Sequence, residues 1–217
     1  MRMPKKPVLE EIGKRKLVPV VKLDRAEDTR PLCETLTEGG LPCAEITFRT
    51  EAAEESIRIA VNQYPDMLVG AGTVTNVEQA ERAVQAGAKF LVSPGFSEKV
   101  AEYAAAENIL LLPGICTPSE IMKALEYNMS VVKFYPAEQF GGIRTIKALT
   151  APFPAIRFLP TGGIYAGNIQ DYLQIPQVLA CGGSWMVASD LIRNGNYDEI
   201  LRLTREAVKA VDACRKG

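Results

Sequence analysis

The chain contains no histidine. Imidazole is the most frequent general base and zinc ligand, so its absence excludes Ser-His-Asp and Cys-His catalysis. Acid–base work falls to carboxylates, lysine, tyrosine, cysteine or water. No apolar run approaches the roughly 20 residues of a membrane-spanning helix, and no membrane partner is expected. The segment from Met1 to Lys16 is charged and lacks the apolar centre of a secretory leader. Net charge is nearly absent too: 25 basic against 26 acidic residues leave −1, which gives no reason to expect a nucleic-acid partner. Cluster Lys14-Arg15-Lys16 reads as a solvated face. Cys33, Cys43, Cys116, Cys181 and Cys214 form an odd set without C-x-x-C spacing, so they read as reduced thiols and the expected location is cytoplasmic.

What is present fits one folded unit. The 217 residues suffice for one full core, and no linker-like stretch divides them. We expect a single domain over residues 1–217, with segment 1–16 before the first strand and a closing helix at about 197–214. Short apolar runs recur at Leu17–Val21, Pro42–Phe48, Met67–Gly72, Lys89–Ser93, Ile109–Pro113, Ser130–Tyr135, Ile156–Pro160 and Val178–Cys181, spaced by roughly 20–27 residues. Amphipathic stretches such as Asn76–Ala86 and Thr117–Tyr127 separate them and read as helices. Thr117-Pro118-Ser119-Glu120 has the form of a helix start. Alternating β and α at this period predicts an α/β fold with a parallel sheet, and eight units favour a closed (β/α)8 TIM barrel. An open doubly wound sheet is the alternative, but the dinucleotide glycine fingerprint and the Walker A loop are both missing where they would be expected.

One residue resists this pattern. Lys133 lies inside the apolar run Ser130-Val131-Val132-Lys133-Phe134-Tyr135. A buried ammonium loses its water, so this lysine is either paired with an acid or held as the neutral amine, which is a nucleophile. Strand side chains alternate between faces. Val131, Lys133 and Tyr135 therefore share one face. Cys43, Glu45 and Thr47 share another, joined by Arg49 if the strand continues that far. Glu45 and Lys133 are thus candidates to meet inside the barrel. They read either as an ion pair that holds the barrel together or as an imine-forming amine with its acid–base partner, and parity alone leaves both open. Arg49 suits a substrate carboxylate, and Thr73 could add a hydroxyl to it. Lys22 is the rival nucleophile, on a wetter flank. The strand ends are rich in glycine: Gly162-Gly163 follows Thr161, and Gly182-Gly183 precedes Ser184. Two such loops at consecutive strand ends suit a phosphate.

These segments resemble a known family. Val132-Lys133-Phe134-Tyr135-Pro136-Ala137-Glu138 is similar to the Schiff-base lysine motif of the 2-keto-3-deoxy-6-phosphogluconate (KDPG) aldolases, and Glu45-Ile46-Thr47-Phe48-Arg49-Thr50 to their catalytic glutamate segment. Gly70-Ala71-Gly72-Thr73-Val74, the segments from Pro113 to Glu120 and from Phe158 to Ile164, and Gly182-Gly183-Ser184-Trp185 also match. The resemblance implies a class I aldolase on a (β/α)8 barrel, usually a homotrimer, with no metal or other cofactor. Its substrates would be 2-keto acids and sugar phosphates: KDPG split to pyruvate and glyceraldehyde 3-phosphate, and 4-hydroxy-2-oxoglutarate split to pyruvate and glyoxylate. It implies that Lys133 forms the imine and Glu45 transfers protons. Arg49 and Thr73 would hold the pyruvate carboxylate, Pro94 and Thr161 would line the site, and Gly162, Gly163, Gly183 and Ser184 would bind the phosphate. Tyr135 stands where many members carry Phe, which adds a phenol at the substrate. The other readings are a phosphosugar isomerase or synthase, a barrel that has lost catalysis, and a metal-dependent pyruvate aldolase.

Overall fold

The computed structural model describes residues 5–215; positions 1–4 and 216–217 of the expected 1–217 domain lie outside the described residues. The described residues form nine strands: β1 (Leu17–Val21), β2 (Cys43–Thr47), β3 (Leu68–Gly72), β4 (Phe90–Val92), β5 (Leu110–Leu112), β6 (Gly114–Ile115), β7 (Val131–Phe134), β8 (Arg157–Pro160) and β9 (Cys181–Gly183). The helices among them are α1 (Lys5–Arg15), α2 (Thr29–Glu38), α3 (Ala53–Gln63), α4 (Val77–Gln85), α5 (Glu98–Ala106), α6 (Pro118–Glu126), α7 (Gly142–Thr150), α8 (Ile169–Leu173), α9 (Ser189–Arg193) and α10 (Tyr197–Arg215).

Ladder pairing runs β5-β4-β3-β2-β1-β9 and β6-β7-β8, and the paired strands are parallel. Two junctions join these arcs into a TIM barrel of eight staves. At one, β5 and β6 form a single stave interrupted at Pro113. Proline has no N–H for the ladder, but its carbonyl accepts from the Lys133 N–H at 2.8 Å. At the other, parallel bridges Phe158↔Val178 and Thr161↔Gly182 tie β8 to the β9 segment.

Side-chain parity separates two cores. Ala44, Ile46, Val69, Ala71, Leu91, Val132 and Phe134 belong to the cluster that includes the helix residues Leu36, Ile57 and Ala83. Val18, Cys43, Leu68, Phe90, Leu110, Val131 and Leu159 belong to a second cluster, the barrel interior, which also holds Val8 and Ile12 of α1. Each large apolar side chain buried in this way contributes about 1.5–3 kcal/mol.

One sequence expectation requires correction. The last stave is β9, Cys181–Gly183, and not Val178–Cys181: the ladder with β1 pairs Leu17, Val18 and Pro19 with Cys181, Gly182 and Gly183. Glycines carry no apolar signal, so the strand is shifted relative to the hydrophobic run. Within the segment expected before the first strand lies helix α1, whose Val8 and Ile12 are one turn apart and buried at 1% and 0% exposure. The expected start of α6 is present as a capping box: Thr117 accepts from the Glu120 N–H, and Glu120 accepts from the Thr117 N–H.

Candidate active site

Lys133 and Glu45 meet inside the barrel. The Lys133 Nζ lies 3.3 Å from Glu45 Oε1, and the two residues are 4% and 1% exposed. This proximity follows from register. Glu45 pairs with Gly70 on the neighbouring stave and Lys133 with Gly114, so both sit at the same inward-facing parity. Gly72 makes the room. A Cβ there would stand 2.3 Å from Glu45 Oε1, so only glycine admits the carboxylate. Glu45 Oε2 is buried with no hydrogen-bond partner among the described residues. Leaving such an atom unpaired costs about 1–3 kcal/mol, which a substrate proton or water could recover.

Tyr135 is on the same face as Lys133, with its ring centroid 5.2 Å from Lys133 Nζ. An aromatic face at that distance favours a cation, whether an ammonium or a protonated imine. Tyr135 is partly exposed and also lines a cavity of about 440 Å³. Arg49, Thr161, Gly162, Gly163, Gly183 and Ser184 line the same cavity, so most of the residues singled out in the sequence converge there.

Arg49 lies beyond β2, which ends at Thr47, so the strand does not continue to it. Its side chain still reaches the site, and its Nε donates to Thr73 Oγ1 at 3.1 Å. Thr73 adopts a left-handed backbone with φ 54°. That conformation costs a non-glycine residue roughly 1–2 kcal/mol and is concentrated at functional positions. Pro94 is exposed in the loop after β4 and does not line this cavity; its carbonyl packs over Gly114, the register partner of Lys133.

Sequence reading missed Trp185 as a lining residue and cast Lys22 only as a rival nucleophile. Trp185 lies against Gly183, and its indole Nε1 is buried without a partner among the described residues. Its position directly after the Gly-Gly-Ser run is the available signal. Lys22 lines the cavity and donates to Asp24 at 2.6 Å. Lys22 and Arg49 make the mouth cationic, which suits an anionic substrate. The arrangement can therefore hold a small anion in the cavity, with the buried amine and its carboxylate on the far side of the Tyr135 ring that lines it. Among the described residues, no group of three or more carboxylate, thiol or imidazole side chains converges.

Known proteins share this arrangement of sequence and fold. A family model described as KDPG and KHG aldolase matches residues 8–203. A Treponema pallidum protein named 2-dehydro-3-deoxy-phosphogluconate aldolase is 44% identical over 204 residues, spanning 94% of this chain and 97% of its own. The KHG/KDPG aldolase of Escherichia coli K12 is 42% identical over 193 residues, spanning 89% of this chain and 91% of its own. Among solved structures, the KDPG aldolase of Legionella pneumophila, with pyruvate captured as a covalent carbinolamine intermediate, superposes with a TM-score of 0.89. It is 36% identical and covers 92% of this chain and 97% of its own.

Proposed function

This chain belongs to the KDPG and KHG aldolase family, and we propose that it is the class I lyase that splits KDPG into pyruvate and glyceraldehyde 3-phosphate, with Lys133 as the imine-forming residue. The carrying observation is the buried Lys133 amine 3.3 Å from Glu45 Oε1, where the other Glu45 oxygen has no partner.

Glu45 takes a proton from Lys133, and the free amine attacks the C2 ketone to give a carbinolamine. Loss of water leaves a protonated imine. Glu45, ionised again, removes the proton of the C4 hydroxyl. The C3–C4 bond breaks, its electrons pass into the iminium, and glyceraldehyde 3-phosphate leaves. Glu45 returns its proton to C3 of the enamine. Water then hydrolyses the imine, releasing pyruvate and restoring the amine. The Tyr135 ring supports the cationic intermediate. Arg49, oriented by Thr73, binds the pyruvate carboxylate, Thr161 bounds the pocket, and Pro94 acts from outside the cavity, through its carbonyl packed against Gly114. Gly162, Gly163, Gly183 and Ser184 receive the phosphate. The same machinery cleaves 4-hydroxy-2-oxoglutarate to pyruvate and glyoxylate, using the imine without the phosphate contacts.

Borohydride reduction in the presence of pyruvate tests this reading. Peptide mass spectrometry should find the reduced adduct on Lys133, and Lys133→Ala should lose both the adduct and turnover, by more than about 10⁴-fold. Adduct at Lys22, or equal labelling of Lys133→Ala, would overturn it. EDTA should leave activity intact, and a loss restored by a divalent metal would favour a metal-dependent aldolase. The working form is a homotrimer in the cytoplasm. Exposed Met122, Leu125 and Phe140 offer apolar surface for subunit contact, and the free cysteines suit a reducing compartment. Sedimentation equilibrium should return three times the 23.7 kDa chain mass; a monomer would refute the trimer.

A further inference from the structure

The turn Thr161–Gly163 is anchored from behind by its carbonyls. Thr161 O accepts from the Ala137 N–H at 2.8 Å and Gly162 O from the Glu138 N–H at 3.1 Å. Gly163 O accepts from Asn168 Nδ2 at 2.9 Å. The peptides that follow these carbonyls are trans. In a planar trans peptide the carbonyl and the next N–H point in opposite directions. Each anchored carbonyl therefore turns the N–H of Gly162, Gly163 or Ile164 to the other side, and all three of these residues line the cavity. Successive N–H groups presented in this way form a nest for an anion. Gly162 and Gly163 adopt φ +100° and +79°, which this backbone path requires.

Behind the turn stand two side chains that the aldol chemistry does not use. Tyr172, on α8, is fully buried, and its hydroxyl donates to Glu138 Oε1. Burial and this bond push the Tyr172 phenol well above its usual range, so it remains a donor at any working pH. The Glu138 Cγ packs so close that a Cβ on Gly163 would stand 2.4 Å from it, and Glu138 does not line the cavity. The hydroxyl thus fixes a carboxylate that would repel a phosphoryl group if it swung inward. Asn168 holds its own rotamer by accepting from the Tyr165 N–H at 2.9 Å.

We propose that Glu138, Asn168 and Tyr172 are positioning residues for the substrate's phosphoryl group: Asn168 holds the Gly163 carbonyl off the cavity so that the next N–H faces it, and Tyr172 holds the Glu138 carboxylate behind the turn, away from the anion. This rests on the phosphate reading of the cavity given above. The test compares KDPG with 4-hydroxy-2-oxoglutarate, using the full chain, and adds inhibition of 4-hydroxy-2-oxoglutarate cleavage by inorganic phosphate. Tyr172→Phe and Asn168→Ala should each lower the ratio of kcat/KM for KDPG to that for 4-hydroxy-2-oxoglutarate about fivefold, the effect of one lost hydrogen bond. The fall should come through KM, and phosphate inhibition should weaken by a similar factor. Glu138→Gln keeps an acceptor for the Tyr172 hydroxyl and should hold the ratio within about twofold of the unmodified protein. Equal losses on both substrates, or a lowered melting temperature with an unchanged ratio, would overturn the proposal. Ser184→Ala separates the two layers of inference. If it lowers the ratio while Tyr172→Phe and Asn168→Ala do not, only the positioning role falls. If it too leaves the ratio unmoved, the phosphate reading falls.

Discussion

The two ends of the barrel use the same strand positions for opposite purposes. On β2, Cys43 and Glu45 share the inward face one step apart, and on β7 Val131 and Lys133 do the same. Cys43 and Val131 lie toward the strand starts, within the apolar layer that Val8 and Ile12 of α1 close. Burial there pushes the Cys43 thiol up to about 12, so it is an inert packing group and not a nucleophile. Glu45 and Lys133, one step on, form a buried charged pair with an unpartnered carboxylate oxygen. A larger cavity of about 820 Å³ lies beside the apolar end, bounded by Leu9, Ile109, Met129 and Arg157, whereas the smaller one is lined by Arg49, the glycine turns and Tyr135, whose ring stands 5.2 Å from Lys133 Nζ. Volume alone would select the wrong end. The site is marked by polar groups that remain costly until something binds them.

Glu45→Gln is the strongest remaining way to break this comparison. A purely structural pair would respond mainly in stability, by about 3–5 kcal/mol, because removing one partner strands a buried charge. A proton-transfer role predicts instead that turnover of KDPG falls about 10³-fold, with the pyruvate imine on Lys133 still trapped by borohydride. Loss of trapping together with turnover would show that Glu45 is needed to form the imine. Retained turnover would reduce Glu45 to a counter-ion.

The contrast between the ends also decides what could be read from sequence. The alternation that places Glu45 and Lys133 on inward faces is a property of any strand, so their meeting was legible once the barrel was. The family motif favours the catalyst over the ion pair, a choice that parity left open. The eighth stave was misplaced because Gly182 and Gly183 pair through backbone alone. The break at Pro113 depends on which stave its carbonyl serves, a matter of tertiary pairing. Helix α1 was hidden in a charged segment because only Val8 and Ile12 mark its buried face. Tyr172 on α8 and Glu138 in the turn after β7, 34 residues apart, have no local pattern that joins them.

Ile12→Ala tests the closed end. Ile12 is fully buried, and its truncation should cost about 3 kcal/mol of stability by loss of transfer energy and by the cavity left behind. Denaturant unfolding measures this. Well below the unfolding transition, kcat/KM for KDPG should stay within about twofold, because the lost packing lies at the opposite end from the reacting groups. A large fall in kcat without unfolding would show that the ends are coupled, and the division of labour would not hold.

The smallest effect concerns the capping box at the open rim, on the loop that follows β6. Glu120 is partly buried, which raises its pKa. The hydrogen bonds from the Cys116 N–H, the Thr117 hydroxyl and the Thr117 N–H outweigh that and hold it below the usual value of 4.5. A carboxyl lowered in the folded state gives stability that is present above its unfolded pKa and lost as pH falls through the folded one. The protein should therefore lose stability from this group as pH drops below about 4.5. Glu120→Gln keeps an acceptor but no charge. It should cost about 1 kcal/mol at pH 7 and remove this group's share of the acid dependence, so the two proteins' unfolding midpoints converge as pH is lowered. A constant offset from neutral to acid pH would mean that Glu120 contributes shape and not charge. The rim would then be held, like the closed end, by packing alone.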